Sequence, residues 1–528
     1  MLFITGAPAG WFMQRQSFSD LSASGEDRTR LPASMMLVLA GLILTSYAAK
    51  LVVFWLAPNM SYADVTFQYL EQAHRLMYGR GLLPWEFVSG ARPWLVPGLI
   101  WPGMEAARLL GGQAQAQIFG ATAVCSLMSL LVIPPAFLWG WRHAGSVGAV
   151  VCGALAAYWF ETVYYAGQPL QDTIATFLLV PGVYLAYPDG PARSFRRLVH
   201  AGLWLGAALA FRIQLGPIVL LVGVWVARLD IRRYAAFVLG GIGPLLFLGL
   251  LDWATWGMPF QSIIKYVKYQ SSSIGETGEG RFGFVPWYHY PGWILAYWSG
   301  AFALIVLTAL AAVKRLPLLL AIPLFNLAVL ETIAMKHPRY LYPGVPFVLV
   351  LAGIGGSLLA LRLWEGRVPR WRIGAIGAVF VALTSGLLGG FGYFAATFSL
   401  GRGTILATRA VNADPQSCGL AIAPGSSWWL SGGYVYLNAD KGLYGITAAD
   451  PDFKAKSAAF NYILTTTELP GEPMEDFTGT GYEKIACYAN GTRGPACFWR
   501  RPGTCDAKAA PPLKASLPPW LDEAKGRP

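Results

Sequence analysis

The chain has 528 residues, 55% of them hydrophobic and only 13% charged. That is too little charge to wet a soluble globule of this size, and the apolar residues gather in windows without Asp, Glu, Lys or Arg, so the chain reads as a polytopic membrane protein. The net charge of +12, from 40 basic and 28 acidic residues, fits Lys and Arg retained beside cytoplasmic helix ends; no recognition motif accompanies it, and nucleic acid is excluded as a partner.

Residues 1–34 read as a cytoplasmic tail, because no basic segment precedes a full apolar signal core. The first apolar stretch, 32–58, carries Lys50 as its only charge. Charge-free windows follow at 109–141, 144–160, 173–188, 234–251, 291–313, 316–330, 340–361 and 373–401. Their lengths suit helices, which close their own backbone hydrogen bonds in lipid, and not barrel strands.

The stretch 198–227 is divided by Arg212. As one helix it would set Arg193, Arg196 and Arg197 across the membrane from Arg228, Arg232 and Arg233. Two short helices, 198–211 and 213–227, keep both clusters inside and agree with the positive-inside rule. The expected fold is therefore an α-helical polytopic protein of about eleven transmembrane or partly penetrating helices over 35–401, with outer loops at 59–108 and 252–290. Residues 402–528 are left outside. They hold Cys418, Cys487, Cys497 and Cys505, which allow three pairings, and alternate strand-like runs such as TRGPACFW with turn signals such as NADPQS and PGEP. This tail reads as an extracytoplasmic, disulfide-containing α/β or mainly β module. Cys125 and Cys152 sit in apolar helices as small core residues.

Asp64 follows the first crossing by a few residues, so it lies near the membrane surface, either capping an amphipathic helix over 66–78 or acting chemically. Glu71 and Arg75 are spaced on that helix as an i,i+4 pair. Arg92, between an aromatic-rich loop and Pro93, serves either packing or a phosphate. Asp172 starts the next crossing as a cap or as part of the same outer site.

Arg212 with Gln214 marks either a buried polar interior or a snorkelling turn, since a central arginine costs at least about 2.5–3.5 kcal/mol. Lys336, His337 and Arg339 stand at an outer helix end against the positive-inside bias, beside Tyr340 and Tyr342, where they hold a lipid phosphate or make headgroup contacts. The glycine- and serine-rich continuation of IIKYVKYQSSSIGETGEG is a candidate cover over a lipid substrate. No zinc spacing, P-loop, Rossmann glycine pattern or nucleophile elbow is present. The energy for a reaction is then expected in a membrane-embedded substrate, with no certain cofactor and no metal required by the sequence.

The run Asp64-Val65-Thr66-Phe67-Gln68-Tyr69-Leu70-Glu71-Gln72-Ala73-His74-Arg75, followed by Gly79, Gly81 and Trp85-Glu86, resembles the first luminal loop of the GT-C mannosyltransferases of glycosyltransferase family 22. Lys336 to Pro343 is similar to that family's later HKExRFxxP signature, and Phe211-Arg212-Ile213-Gln214 resembles its intramembrane arginine region. The likeness is scattered over about 35–400 and does not include the cysteine-containing module. Two departures stand out: Val65 takes the second place of an acidic pair, and Met335 and His337 replace the signature's His and Glu.

The resemblance implies a GT-C fold and an inverting transfer of a sugar, mannose or a related pentose or hexose, from a polyprenyl-phosphate donor to a lipid-linked or cell-envelope glycan. It implies Asp64 as the loop acid and base, with Lys336, Arg339 and the Arg212 region as partners of the donor; the reading of the residues themselves adds Glu71, Arg92, Asp172, Gln214, His337 and Tyr342 as candidate substrate-binding residues. Membrane lipids, donor and glycan or glycolipid acceptor are the expected partners, and a bacterial inner membrane with a periplasmic site is the expected location. A lipid-linked saccharide flippase and a membrane-anchored assembly protein are the rival readings. Nothing in the sequence sets the oligomeric state.

Overall fold

A computed structural model describes residues 31–187, 194–275, 285–333, 336–364 and 366–514. The tail over 1–30, Arg193, Met335 and the glycine-rich stretch 276–284 expected as a cover lie outside the described residues.

Five helical stretches among the described residues are long and apolar enough to cross a membrane: Ala33–Leu56, Ala114–Tyr158, Ile231–Trp256, Pro338–Trp364 and Arg370–Phe391. A sixth results if His289–Trp298 and Ala301–Ala312, bent by 100° at their junction, are one span. Large side chains such as Leu37, Leu44, Leu246, Leu307 and Phe391 point outward from these helices, as lipid-facing positions require. The expected count of about eleven transmembrane or partly penetrating helices is not confirmed: five or six stretches are long enough to cross, and others, such as Pro317–Glu331 and the Ile213–Ala227 segment, are apolar but short. Lys50, the lone charge of the first span, is buried and donates from Nζ to Ser129 Oγ at 2.9 Å.

The long stretch Ala114–Tyr158 reverses inside itself. Ala144 and Gly145 leave helical geometry, with Gly145 at φ +64°, and Gly140 and Gly148 come together across the bend. A Cβ on Gly140 would lie 2.1 Å from the Gly148 carbonyl oxygen, so the turn closes only on glycine.

The region around Arg212 follows the hairpin pattern. The helix Phe195–Phe211 ends at Arg212, which has extended backbone, and Gly216–Ala227 follows a short turn at Ile213–Leu215. Gly202 lies against the Phe237 carbonyl and Gly206 against Gly241, while Ala210 clusters with Leu248. Contacts that advance together along both chains mean that Phe195–Phe211 and Ile231–Trp256 run parallel. The segment between them must therefore return, which sets Arg196, Arg197, Arg228, Arg232 and Arg233 at one end and Arg212 at the opposite apex.

The C-terminal module is a mixed five-stranded sheet in the order β2-β1-β3-β5-β4. Strands β1 (Gly419–Ala423), β2 (Gly442–Gly445) and β3 (Tyr462–Thr465) are parallel, and β5 (Ala496–Arg500) is antiparallel to β3 and to β4 (Glu483–Tyr488). The helix Arg402–Ala413 covers one face through Ala407 and Val411, which share a core with Leu420, Leu464 and Phe498. Disulfides join Cys418 to Cys505 and Cys487 to Cys497, whereas Cys125 and Cys152 are free and buried. Asn490, in a glycosylation-type sequence, is buried and donates to Thr466 Oγ1 at 3.3 Å, so its amide belongs to the module's core.

Candidate active site

Asp64 does not cap a helix. It opens a π-helical segment, Asp64–Leu70, that continues as the α-helix Glu71–Tyr78. Gln68, one wide turn on, donates from Nε2 to Asp64 Oδ1 at 3.0 Å and to Glu86 Oε1 at 2.6 Å. The second Asp64 oxygen takes Arg339 Nη2 at 2.5 Å.

Arg339 also lies 3.7 Å, through Nε, from Asp172 Oδ2, and Asp172 Oδ1 lies 2.6 Å from Arg212 Nε. Four sequence-distant residues thus form one alternating chain of charge, Asp64, Arg339, Asp172 and Arg212. Asp172 starts the helix Gln171–Ala186 and Arg212 tops the hairpin, so two antiparallel helices bring them together. Tyr340 lies beneath the guanidinium groups of Arg212 and Arg339, at 5.0 Å and 5.4 Å.

Exposure separates the two carboxylates. The Asp64 side chain keeps 28% of its surface open, while Asp172 keeps 3% and Arg339 9%. Asp64 can meet a substrate, and Asp172 holds the arginines. Burial pushes the Asp64 carboxyl up, but the charges of Arg339 and Arg92 outweigh it and leave Asp64 below its ordinary value. Glu86, in contrast, is pushed up to about 7, chiefly by burial.

Beside this chain lies a cleft of about 330 Å³ lined by Arg92, Gln171, Arg212, Gln214, Ser262 and Tyr266. Arg92 donates from Nη1 to Gln171 Oε1 at 2.9 Å, and its buried Nε has no acceptor among the described residues. Gln214 donates to the Tyr266 hydroxyl. Tyr266 is delivered by the helix Gln261–Gly275, whose start is fixed by Asp252 accepting from Ser262 N at 2.9 Å and Ser262 Oγ at 2.6 Å. Two arginines, two amides and an orphaned guanidinium donor suit an oxyanion such as phosphate.

A larger apolar cleft, about 1050 Å³, opens alongside between helices and is lined by Trp298, Phe302, Leu320, Leu324, Leu341 and Val345. Pro338, next to Arg339, forms part of its wall. Among the described residues no group of three His, Cys, Asp or Glu side chains is arranged to hold a metal.

Of the residues singled out in the sequence, Asp64, Arg92, Asp172, Arg212, Gln214 and Arg339 gather here. His337 is adjacent, its ring 5.1 Å from that of Tyr62, and burial depresses its pKa to about 3, leaving it neutral. Lys336 faces away: its Nζ pairs with Glu331 Oε2 at 3.0 Å and sits 5.4 Å from the Tyr290 ring. Tyr342 packs inward on Tyr165, with ring centroids 4.5 Å apart.

Glu71 is placed elsewhere again. Fully buried, it accepts from the backbone N–H groups of Leu82 at 2.7 Å, Tyr434 at 3.1 Å and Val435 at 2.9 Å, which ties the Asp64 segment to the C-terminal module. Arg75 does not pair with it but donates to Gln72 Oε1 at 2.7 Å. Gln68, Glu86, Gln171 and Tyr266 belong to the site without having been singled out as site residues. The i,i+4 spacing of Asp64 and Gln68 and the adjacency of Gln171 to Asp172 were the available signals.

A polytopic helical body with outer loop helices carrying the acid is GT-C-like, and the C-terminal sheet module is added to it. The model of the Alg9-like mannosyltransferase family matches residues 42–401, and the chain belongs to that family. Family and fold together place it in the GT-C class of architecture. Among curated proteins it is 24% identical over 364 residues to the human GPI alpha-1,2-mannosyltransferase 3, and 24% identical over 355 residues to the bovine protein of that name. These alignments take in 66% and 61% of this chain but only 62% and 60% of those relatives' lengths. Among solved structures, ArnT from Cupriavidus metallidurans bound to undecaprenyl phosphate shares the fold with a TM-score of 0.54 and 13% identity, over 91% of this chain and 100% of that one. Its apo form gives 0.52 and 13%, over 90% and 99%.

Proposed function

We propose that the protein transfers a sugar from a polyprenyl-phosphate donor to a hydroxyl of a lipid-linked or cell-envelope glycan, with inversion, on the membrane face that carries the C-terminal module. The observation that carries this reading is the pairing of one accessible carboxylate, Asp64, with an arginine-lined cleft beside an apolar groove. The donor's isoprenoid tail occupies the apolar groove, and its phosphate sits among Arg92, Arg212 and Arg339. Asp64, ionised at neutral pH, accepts the proton of the incoming hydroxyl. The oxygen forms its bond to the anomeric carbon as the bond to the phosphate oxygen breaks from the opposite side. The electron pair leaves on polyprenyl phosphate, whose growing charge the arginines stabilise. Asp172 keeps Arg212 and Arg339 aimed at that charge.

The family's mannosyltransferase description favours mannose as the sugar, and the fold neighbour's undecaprenyl phosphate favours a polyprenyl carrier. The disulfide-bonded module suits an oxidising compartment, and we place it in the periplasm of a bacterial inner membrane. Residues 35–401 act as the catalytic body and 402–528 as the extracytoplasmic domain.

The test is mass spectrometry of products after incubating the purified protein with polyprenyl-phosphate sugars and glycolipid acceptors. The expected result is an acceptor one sugar heavier, together with free polyprenyl phosphate. Donor that crosses the membrane uncleaved contradicts the proposal.

A further inference from the structure

The seam between the outer loop and the C-terminal module holds a second cleft, of about 580 Å³, with a different lining. Its walls are His74 and Tyr78 from the helix Glu71–Tyr78, Gln113 and Gln117 at the start of Ala114–Ser129, and Asn438 and Asp440 from the loop before β2. The amides are fixed at one end only. Gln117 Nε2 donates to the Tyr78 hydroxyl at 2.9 Å and to the Gly112 carbonyl at 3.0 Å, and Asn438 Nδ2 donates to Gln113 Oε1 at 2.6 Å. Their other ends, Gln117 Oε1, Asn438 Oδ1 and Gln113 Nε2, have no protein partner among the described residues.

His74 adds an acceptor. Its Nδ1 lies 3.1 Å from the Arg80 carbonyl, and burial lowers its pKa to about 4, so the ring is neutral, with Nδ1–H donating and Nε2 left to accept. The His74 and Tyr78 rings lie 4.6 Å apart and present an aromatic surface. Asp440, whose side chain is 72% exposed, supplies the one carboxylate; Lys441 Nζ lies 3.5 Å from it but is buried and donates to the Ser417 carbonyl at 2.9 Å. No arginine or lysine lines the cleft, in contrast to the site at Asp64.

We propose that this seam cleft binds a neutral saccharide, the part of the acceptor glycan distant from the reacting hydroxyl. Oriented amides, each offering a donor or acceptor, together with a carboxylate and ring faces, match vicinal hydroxyls and the C–H face of a sugar; they offer nothing to a phosphate. His74 is ten positions beyond Asp64 on one continuous helical segment, π-helical to Leu70 and α-helical from Glu71, so more than two helical turns separate the cleft from the reacting carboxylate. An acceptor that reaches both is an oligosaccharide. The proposal rests on the transferase reading above and gives the C-terminal module a share in choosing the acceptor.

The experiment uses the full-length detergent-solubilised protein and a panel of free pentose and hexose oligosaccharides, read by saturation-transfer NMR and by transfer kinetics. Asn438→Leu and Asp440→Ala are the variants, both at accessible loop positions away from Asp64. The expected result is that at least one oligosaccharide of the panel binds, that each variant weakens it about tenfold, as losing one fixed hydrogen bond does, and that KM for long acceptors rises while donor use with a short acceptor is unchanged. Equal affinity in wild type and both variants, or no panel member binding through the cleft, overturns the inference. Transfer that persists with those results leaves the transferase reading standing. Cleft-dependent binding without any transfer contradicts that reading alone.

Discussion

At the residue scale, the site depends on charge that is balanced internally. Arg212 and Asp172 are nearly buried and 2.6 Å apart, with Arg339 between Asp172 and Asp64. Removing one member of such a pair strands the other in low dielectric, so Arg212→Met is expected to cost about 3–5 kcal/mol of stability, as judged by thermal unfolding. The double variant Arg212→Met with Asp172→Leu is expected to regain most of that stability while remaining inactive. If the double variant recovers transfer as well, the pair serves packing and not the reaction. Arg339→Lys keeps the charge but loses the planar fork that reaches both carboxylates, and turnover is expected to fall about 10²- to 10³-fold. Near-wild-type turnover in that variant removes Arg339 from transition-state stabilisation.

The residue scale also shows what the sequence made legible. Asp64, Arg92, Asp172, Arg212, Gln214 and Arg339 stood out because polar residues beside apolar windows are costly, and the fold brings them together. Glu71, Lys336 and Tyr342 looked equivalent in sequence, yet they face the module, Glu331 and the helical interior. Spacing along one helix places a side chain on a face; it does not say which distant element that face meets. Glu71 needs the backbone of Tyr434 and Val435, more than three hundred residues away, to show its role.

At the element scale, the hairpin around Arg212 carries the topology. Two charge clusters and one central arginine sufficed to propose it, since a single span would violate the positive-inside pattern. Its confirmation is the parallel run of Phe195–Phe211 and Ile231–Trp256 through Gly202 and Gly206. The break between the windows 109–141 and 144–160 falls at the reversal at Gly145, whereas the single window 291–313 gives no sign of the 100° bend before Ala301. Cysteines placed at Ser194 and Leu229 are expected to react with an impermeant thiol reagent from the same membrane face, opposite to the C-terminal module. Labelling from opposite faces contradicts the hairpin and moves Arg212 away from the site.

At the scale of the whole molecule, the outer loop and the sheet module act as one body above the membrane helices. The Glu71 carboxylate is the buried tie, and burial pushes its pKa up to about 7 from an ordinary 4.5. Between those values the folded protein holds a proton that the unfolded chain has released. Stability from this group is therefore lost as pH rises from about 4.5 to about 7, and it is level above that. Glu71→Gln is expected to flatten the corresponding slope of melting temperature against pH, and an unchanged slope assigns it to other groups such as Glu86. The Cys418–Cys505 bridge closes a separation of 87 residues, which the chain-entropy account equates with about 4–5 kcal/mol. Cys418→Ser with Cys505→Ser is expected to unfold the module at lower denaturant and to loosen the Asp64 segment with it.

In the proposed reaction all of these elements converge on the proton that Asp64 would accept. The most direct measurement pairs equilibrium binding of a polyprenyl-phosphate sugar with single-turnover transfer in Asp64→Asn, an isosteric change that keeps one of the two accepting oxygens but removes the base. The account expects donor affinity close to wild type with turnover lost by about 10²- to 10⁴-fold, the range of a positioned general base. Wild-type turnover in Asp64→Asn contradicts it.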